Sequence, residues 1–198
     1  MKSPSEMSRA QILVECALMV ALSFALSLLP GLSMPFGGTV SWFSTLPVVV
    51  VSLRHRARWG ALAALVYSLT QLLLGASNVA AVPARTAGAM ILCGLLDYVA
   101  AYAALGLTGA VAGAVKRGGL AALTAGIAAT GAIRLVCSFL SGVLIWGVYA
   151  PEDMDVWVYS LIYNASWCVP DVLIVIIGAV CLARVKQLAL IPRRSQAV

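Results

Sequence analysis

The chain has 198 residues, of which 62% are hydrophobic and 10% are charged, and its mean hydropathy is +1.01. This composition excludes a soluble globular domain, because a domain of this size has too small an interior to bury so much apolar surface. The net charge is +6, but the basic residues occur in short clusters between apolar runs. That pattern excludes a continuous nucleic-acid-binding face and is typical of the loops of a multi-pass membrane protein.

Six apolar segments predict an all-α integral membrane protein, a six-helix bundle that forms one membrane domain over residues 1–198. Each segment is expected to be helical because only a helix satisfies its own backbone in lipid, and about 20 residues cross the hydrocarbon. The second segment is short and carries Pro47, so it is expected to be kinked or to begin within the membrane. The predicted helices span approximately 10–29, 42–53, 59–74, 85–115, 120–148 and 157–183.

The basic clusters predict the topology. The N-terminus, residues 54–58, Lys116-Arg117 and the C-terminal tail fall on one face of the predicted bundle. By the positive-inside rule this face is cytoplasmic, so both termini are expected inside a plasma membrane. The opposite face carries the acidic loop 151–155 and is expected to attract a cation.

Motifs of catalysis and energy coupling are missing from the sequence. It contains no Walker A, H-E-x-x-H or G-x-S-x-G pattern. The five cysteines lie in apolar runs without Cys-x-x-Cys spacing or a neighbouring His, so neither a metal site nor a disulfide is predicted. We therefore expect a chain that is not an enzyme and holds no cofactor, and any transport must be driven by another protein.

Asp97 lies in the middle of the fourth apolar segment. A charge at the centre of a membrane helix costs roughly 2.5–3.5 kcal/mol on insertion scales, so such a residue usually faces the bundle interior and has a partner. One interpretation is a structural bridge to Arg134 in the fifth segment, as in a structural or regulatory membrane protein. The other is that Asp97 binds a cationic ligand.

Polar and aromatic residues are concentrated toward the outer ends of the last three segments. Aromatic side chains there are typical of an interfacial belt, whereas Asp97 and Asn164 lie deeper and need polar partners. A carboxylate, an amide and a stacked indole such as Trp146 are a common combination for binding an organic cation. The residues concerned are Asp97, Tyr98, Tyr102, Ser138, Trp146, Trp157, Tyr159, Tyr163, Asn164 and Trp167.

Ala17, Ala21 and Ala25 recur every four residues in the first segment. A stripe of small residues allows another helix to approach closely. Packing within the bundle and binding of a partner helix are equally compatible with this spacing.

Four stretches of the chain form a distinctive set of motifs. They are LLDYVAAYAALGL at 95–107, FLSGVLIW at 139–146, YSLIYN at 159–164, and residues 37–54, which join a glycine loop to a Pro-bearing helix ending in Ser-Leu-Arg. In the order and spacing of the acid-Tyr pair, the Trp and the Tyr…Asn pair, the chain resembles the thiamine-binding S components (the ThiT/YuaJ family) of energy-coupling factor transporters. The resemblance runs from the first helix to the sixth.

The resemblance implies the S-component bundle, with a thiamine pocket near the outer face. It places Asp97, Tyr98, Trp146, Tyr159 and Asn164 on positions that contact thiamine in the family. Ala17 and Ala21 fall on the small-residue motif that docks on the membrane scaffold subunit. The resemblance also implies that two ATPase subunits, and not this chain, use ATP.

Two positions depart from the family pattern. The family commonly has Glu where this chain has Asp97, which places the carboxylate about one methylene further from the ligand. A family His corresponds to Ser138, which lacks a ring to contact the ligand. A thiamine precursor or a related vitamin is therefore the alternative ligand.

Overall fold

The computed structural model describes residues 7–34, 38–55, 57–116, 118–185 and 190. Some residues of the predicted loops and basic clusters lie outside the described residues, together with the N-terminal residues 1–6. They are Pro35, Gly37, Arg56, Arg117, Lys186, Arg193 and Arg194.

Within the described residues the architecture is helical apart from one small hairpin, and the predicted all-α membrane fold is confirmed. Five of the described helices are long and apolar enough to cross a membrane: Arg9–Ser27, Ala57–Leu74, Ala87–Ala114, Gly119–Leu144 and Val156–Ala183. The hairpin pairs β1 (Leu32–Ser33) antiparallel with β2 (Thr39–Val40). The helices are α1 (Arg9–Ser27), α2 (Leu46–Arg54), α3 (Ala57–Leu74), α4 (Ala76–Ala80), α5 (Ala87–Ala114), α6 (Gly119–Leu144) and α7 (Val156–Ala183).

Helix α2 is short and lies at the centre of the bundle. Its nine residues are all buried, and at 1.5 Å per residue they cover about 13 Å of the roughly 30 Å of hydrocarbon. Pro47 lies in the first turn of α2, where its missing N–H removes no helical hydrogen bond. Pro47 therefore helps to start the helix and does not kink it, and α2 begins at Leu46, later than the predicted start at residue 42.

Helix α5 contains two irregular segments that the sequence did not predict. Gly94–Ala100 is a π-helix, and Ala104–Leu107 is a 3₁₀ helix. Ser52 of α2 stabilises the second irregularity, because its hydroxyl donates to the Gly106 carbonyl at 2.7 Å and accepts from the Gly109 N–H at 2.9 Å. π-Segments inside α-helices occur frequently at functional sites, and this one contains Asp97.

Glycine allows α2, α3 and α5 to meet at the centre of the bundle. A Cβ added at Gly60 would lie 2.8 Å from Cα of Ser52 and 2.9 Å from the Gly106 carbonyl oxygen. Contacts this short leave no room for a side chain, so the three backbones pack directly on one another. Close backbone contact through small residues is the usual way in which membrane helices associate.

A charged cluster joins α1 to the C-terminal end of α2. Glu15 lies 2.7 Å from Nε of Arg54 and 3.3 Å from Nε2 of His55, and the side chains of both partners are only 1% exposed. Burial lowers the pKa of His55, and the Glu15 carboxylate opposes part of that shift. The sequence analysis did not identify this cluster, although an acid in the first apolar segment was a signal for it.

Replacing Glu15 with Ala tests whether this cluster stabilises the bundle. The change removes the carboxylate that offsets the charge of Arg54, and we expect the free energy of unfolding to fall by about 3 kcal/mol, as for other half-broken buried ion pairs. Thermal unfolding in detergent measures the effect. Glu152→Ala, in an exposed loop, is the matched control and should leave the midpoint unchanged. Equal losses in both variants would contradict a structural role of the cluster.

Candidate ligand-binding site

A cavity of about 810 Å³ lies at the end of the bundle opposite the Arg54 cluster. The C-terminal parts of α1, α3 and α6 line it, together with α4, the middle of α5, the N-terminal half of α7 and residues in and beside the hairpin. All six residues that the sequence predicted as ligand contacts line this one cavity, although they come from three separate parts of the chain. They are Asp97, Tyr98, Ser138, Trp146, Tyr159 and Asn164.

The Asp97 carboxylate is held through one of its two oxygens. Its Oδ2 accepts hydrogen bonds from the Ser141 hydroxyl at 2.6 Å, the Trp146 indole N–H at 3.3 Å and the Cys93 thiol at 3.4 Å. All three donors are neutral. Among the described residues Oδ1 accepts no hydrogen bond, and none forms an ion pair with Asp97. This carboxylate therefore contributes an uncompensated negative charge to the cavity.

Arg134 binds Asp171, so the interpretation of Asp97 as a structural bridge to Arg134 is wrong. Nη1 of Arg134 lies 2.6 Å from Oδ2 of Asp171, and Nη2 donates to the Tyr102 hydroxyl at 3.0 Å. The guanidinium also lies over the rings of Tyr102 and Trp167, at 4.5 and 4.9 Å from their centroids. Helices α6 and α7 pack along much of their length, which makes the acid on α7 the nearer partner.

The sequence analysis missed Asp171, which also lies inside an apolar segment. It follows Pro170 within α7 and is 3% exposed. The rule that singled out Asp97, an acid in a membrane helix, applies equally to this residue. Because Asp171 compensates Arg134, the cavity is left with the charge of Asp97 and favours a cationic ligand.

Aromatic rings form the outer wall of the cavity. Trp146 and Tyr149 stack at an interplanar angle of 28°, with 6.1 Å between their centroids. Tyr159 and Tyr163 pack at 6.0 Å and 42°. The hydrogen bond from Trp146 to Asp97 fixes the indole beside the carboxylate. Tyr149 and Tyr163 line the cavity too, and neither was among the predicted ligand contacts.

Asn164 is oriented by its own helix. Its Nδ2 donates to the Ser160 carbonyl at 2.9 Å and lies 3.3 Å from the Ser160 hydroxyl. Gly142 of α6 makes room for this arrangement, because a Cβ there would lie 3.1 Å from Nδ2 of Asn164. The amide nitrogen of Asn164 thus donates its hydrogen bonds to Ser160 of the same helix, and Oδ1 is left as the acceptor.

Tyr98 and Ser138 complete the set of predicted contacts. The Tyr98 hydroxyl accepts from Nδ2 of Asn78 at 3.3 Å, and the Tyr98 ring packs against Gly75, where a side chain would clash with it. Ser138 is 5% exposed and lies one helical turn from Arg134 on α6. Both residues therefore belong to the cavity wall.

The hairpin and the segment that follows it line one side of the cavity. Gly38 has a positive φ of 75° and packs against the Trp167 ring, and a left-handed backbone of this kind favours glycine. The Ser41 hydroxyl lies 3.3 Å from Oδ1 of Asp171, to which it donates, and 2.6 Å from the Ser44 hydroxyl. The hairpin segment is therefore anchored on α7 next to the ligand-facing residues.

A bundle of apolar helices around an acidic cavity with aromatic walls defines a membrane protein that binds a small ligand between its helices. The family model described as "Thiamine transporter protein (Thia_YuaJ)" matches residues 13–191. The chain belongs to this family, as its sequence motifs predicted.

Two curated relatives share most of their length with the chain. It is 31% identical over 172 residues to the thiamine transporter ThiT of Bacillus subtilis, which covers 82% of this chain and 84% of the relative. It is 28% identical over 188 residues to thiamine transporter ThiT of Lacticaseibacillus paracasei, covering 89% of each. Because these relatives are named as transporters, the predictions of a multi-pass plasma membrane protein and of a chain that is not an enzyme are confirmed.

A solved structure has the same fold. The structure of ThiT from Listeria monocytogenes superposes with a TM-score of 0.68 at 22% identity, covering 93% of this chain and 99% of that one. At this identity the likeness supports the fold alone. The bundle of this chain is therefore that of a solved ThiT protein.

The ion pair between Arg134 and Asp171 predicts a loss of stability when only one of its two charges is removed. Asp171→Ala leaves the Arg134 guanidinium, 5% exposed, without its counter-charge, and we expect the free energy of unfolding to fall by about 3–5 kcal/mol. The double variant Arg134→Met with Asp171→Leu removes both charges and should recover much of that loss. Thermal unfolding of Asp171→Leu, Arg134→Met and the double variant completes the cycle and measures the coupling. Strictly additive losses would contradict a direct ion pair.

Proposed function

We propose that this chain is the S component of an energy-coupling factor transporter and captures thiamine from the outer side of the membrane. The observation that carries the proposal is the Asp97 carboxylate, which lies in the cavity without a cationic partner among the described residues. Thiamine carries a permanent positive charge on its thiazolium ring. Membership of the thiamine transporter family supports this ligand.

The chemistry of the cavity matches both halves of thiamine. Its aminopyrimidine ring has N–H donors, and Oδ1 of Asp97 and Oδ1 of Asn164 are acceptors to which no described residue donates. The rings of Trp146 and Tyr159 offer π faces that attract the thiazolium. Tyr98 and Ser138 close the remaining wall. In this proposal Asp97 and Asn164 fix the orientation of the ligand, and the aromatic rings supply most of the contact area.

A thiamine precursor is the alternative ligand. A free aminopyrimidine alcohol offers the same N–H donors as thiamine but no thiazolium charge, so it uses the acceptors without the cation–π contacts. Competition between the two compounds separates these possibilities. If the aminopyrimidine alcohol displaces thiamine at equal concentration, the precursor is the better assignment.

Delivery of the ligand requires partners in this proposal. The chain carries no nucleotide-binding motif and needs no cofactor of its own, so a membrane scaffold subunit and two ATPase subunits drive release. Ala17 and Ala21 lie exposed on α1, where a scaffold helix can approach closely. The basic residues Arg9, Arg58 and Lys116 lie at helix ends remote from the cavity, which supports cytoplasmic termini and an outward-facing site.

Asp97→Asn tests the role of the carboxylate. The variant keeps the size of the side chain but loses the charge, and we expect the Kd for thiamine to rise about 10–100-fold, the value of a charge-assisted hydrogen bond. Quenching of tryptophan fluorescence during titration of the purified chain, without other subunits, reports binding, since Trp146 and Trp167 line the cavity.

Asp153→Asn in the exposed loop is the matched control and should bind as the unaltered chain does. Absence of quenching by micromolar thiamine in the unaltered chain would refute thiamine as the ligand. Equal affinity of Asp97→Asn and the unaltered chain would refute only the role of the acid.

Ala21→Trp tests the docking face separately from the ligand site. The indole blocks close approach of a scaffold helix, so we expect thiamine uptake by cells that contain the complete transporter to fall about tenfold or more. Thiamine binding by the isolated chain should not change. Leu73→Trp, at a position of α3 that is 77% exposed, adds the same ring elsewhere and should preserve uptake. Normal uptake by Ala21→Trp would exclude docking through this face.

A further inference from the structure

The shortest hydrogen bond to Asp97 comes from Ser141, which no sequence pattern singled out. Ser141 is fully buried on α6, and its hydroxyl lies 2.6 Å from Oδ2 of Asp97. Trp146 and Cys93 reach the same oxygen at 3.3 and 3.4 Å. Oδ2 therefore accepts all of the hydrogen bonds that the described residues donate to this carboxylate.

The orientation of an aspartate side chain depends on such contacts. Its terminal torsion has a broad energy minimum, so the carboxylate rotates easily unless hydrogen bonds hold it. A thiol is a weak donor, and Trp146 lies beyond the end of α6, outside regular helix. Of the three donors, Ser141 alone combines a strong O–H donor with a position inside a regular helix, and the packing of α6 fixes that position. The direction of Oδ1 is consequently set by Ser141.

Asn164 is held in a corresponding way on the neighbouring helix. Ser160 accepts both contacts of Nδ2, through its carbonyl oxygen and its hydroxyl, and leaves Oδ1 as an acceptor. The Ser160 hydroxyl itself donates to the Phe139 carbonyl at 2.8 Å. Ser141 on α6 thus holds Oδ2 of Asp97, and Ser160 on α7 holds Nδ2 of Asn164. In both side chains the remaining atom, Oδ1, is an acceptor.

We propose that Ser141 is a positioning residue that makes the site selective for a ligand with an N–H donor, because it holds Oδ2 of Asp97 and presents Oδ1 to the cavity. The inference rests on the proposed function, in which the donor is the amino group of the aminopyrimidine ring. Ser141 itself does not touch the ligand. Its effect appears as discrimination between ligands that carry the amino group and ligands that lack it.

The test compares thiamine with 4′-desaminothiamine, which has hydrogen in place of the amino group. Their Kd values are measured by fluorescence titration on the unaltered chain, on Ser141→Ala and on Ser141→Cys. We expect the unaltered chain to prefer thiamine about tenfold or more, since a site with an unpaired acceptor rejects a ligand without the donor. Ser141→Ala should weaken thiamine about tenfold and leave desaminothiamine little changed. Ser141→Cys keeps a donor and should restore part of the preference.

Ser166→Ala is the matched control, because the Ser166 hydroxyl donates to the Tyr163 carbonyl at 2.7 Å within α7 and does not line the cavity. It should keep both Kd values. Unchanged selectivity in Ser141→Ala overturns the inference, and so does an equal loss for both ligands, which would indicate a structural role. Equal binding of both ligands by the unaltered chain overturns it as well but leaves the proposed function intact. Failure of the unaltered chain to bind thiamine refutes the proposed function itself.

Discussion

Compensation of the carboxylates within the membrane helices is the constraint on which the rest of the structure depends. Three acids lie within the described membrane helices, and an ionised acid in an apolar medium is costly without a partner. Glu15 meets Arg54, and Asp171 meets Arg134, so these two acids hold helices together. Asp97 is surrounded by neutral donors. The same physical requirement thus produces two structural pairs and one site that favours a cation from outside.

The bundle brings these acids into place through close helix packing and local irregularity. Gly60 and Gly106 allow the backbones of α3 and α5 to pack closely, and Ser52 stabilises the 3₁₀ segment of α5. The π-segment of the same helix carries Asp97. An α5 of uniform helical geometry would present Asp97 at a different angle around the helix axis. The irregular stretch of α5 and the hydrogen bonds at the site are therefore parts of one arrangement.

The sequence predicted the long helices well because lipid penalises every alternative for an apolar segment of that length. It failed where tertiary packing determines the local secondary structure, as at the hairpin, at α4 and at the start of α2. It identified Asp97 from the cost of a charge in a membrane helix, but the one bridge that it considered paired Arg134 with the wrong acid, because apolar segments do not reveal which helix faces lie together. The predicted ligand contacts came from the resemblance to the ThiT/YuaJ family, whereas a hydroxyl such as Ser141 is common in helices and lies on no motif position that carries the resemblance.

The shortness of α2 explains why the bundle has a cavity at all. Its nine residues occupy only the half of the bundle that contains the Arg54 cluster. Beyond Leu46 the chain leaves the helical path, and Ser41 and Ser44 border the cavity where further turns of a full-length helix would run. The cavity therefore borders the segment that precedes α2. Insertions at the N-terminal end of α2 are thus the most direct way to shrink the space, and deletions there the most direct way to enlarge it.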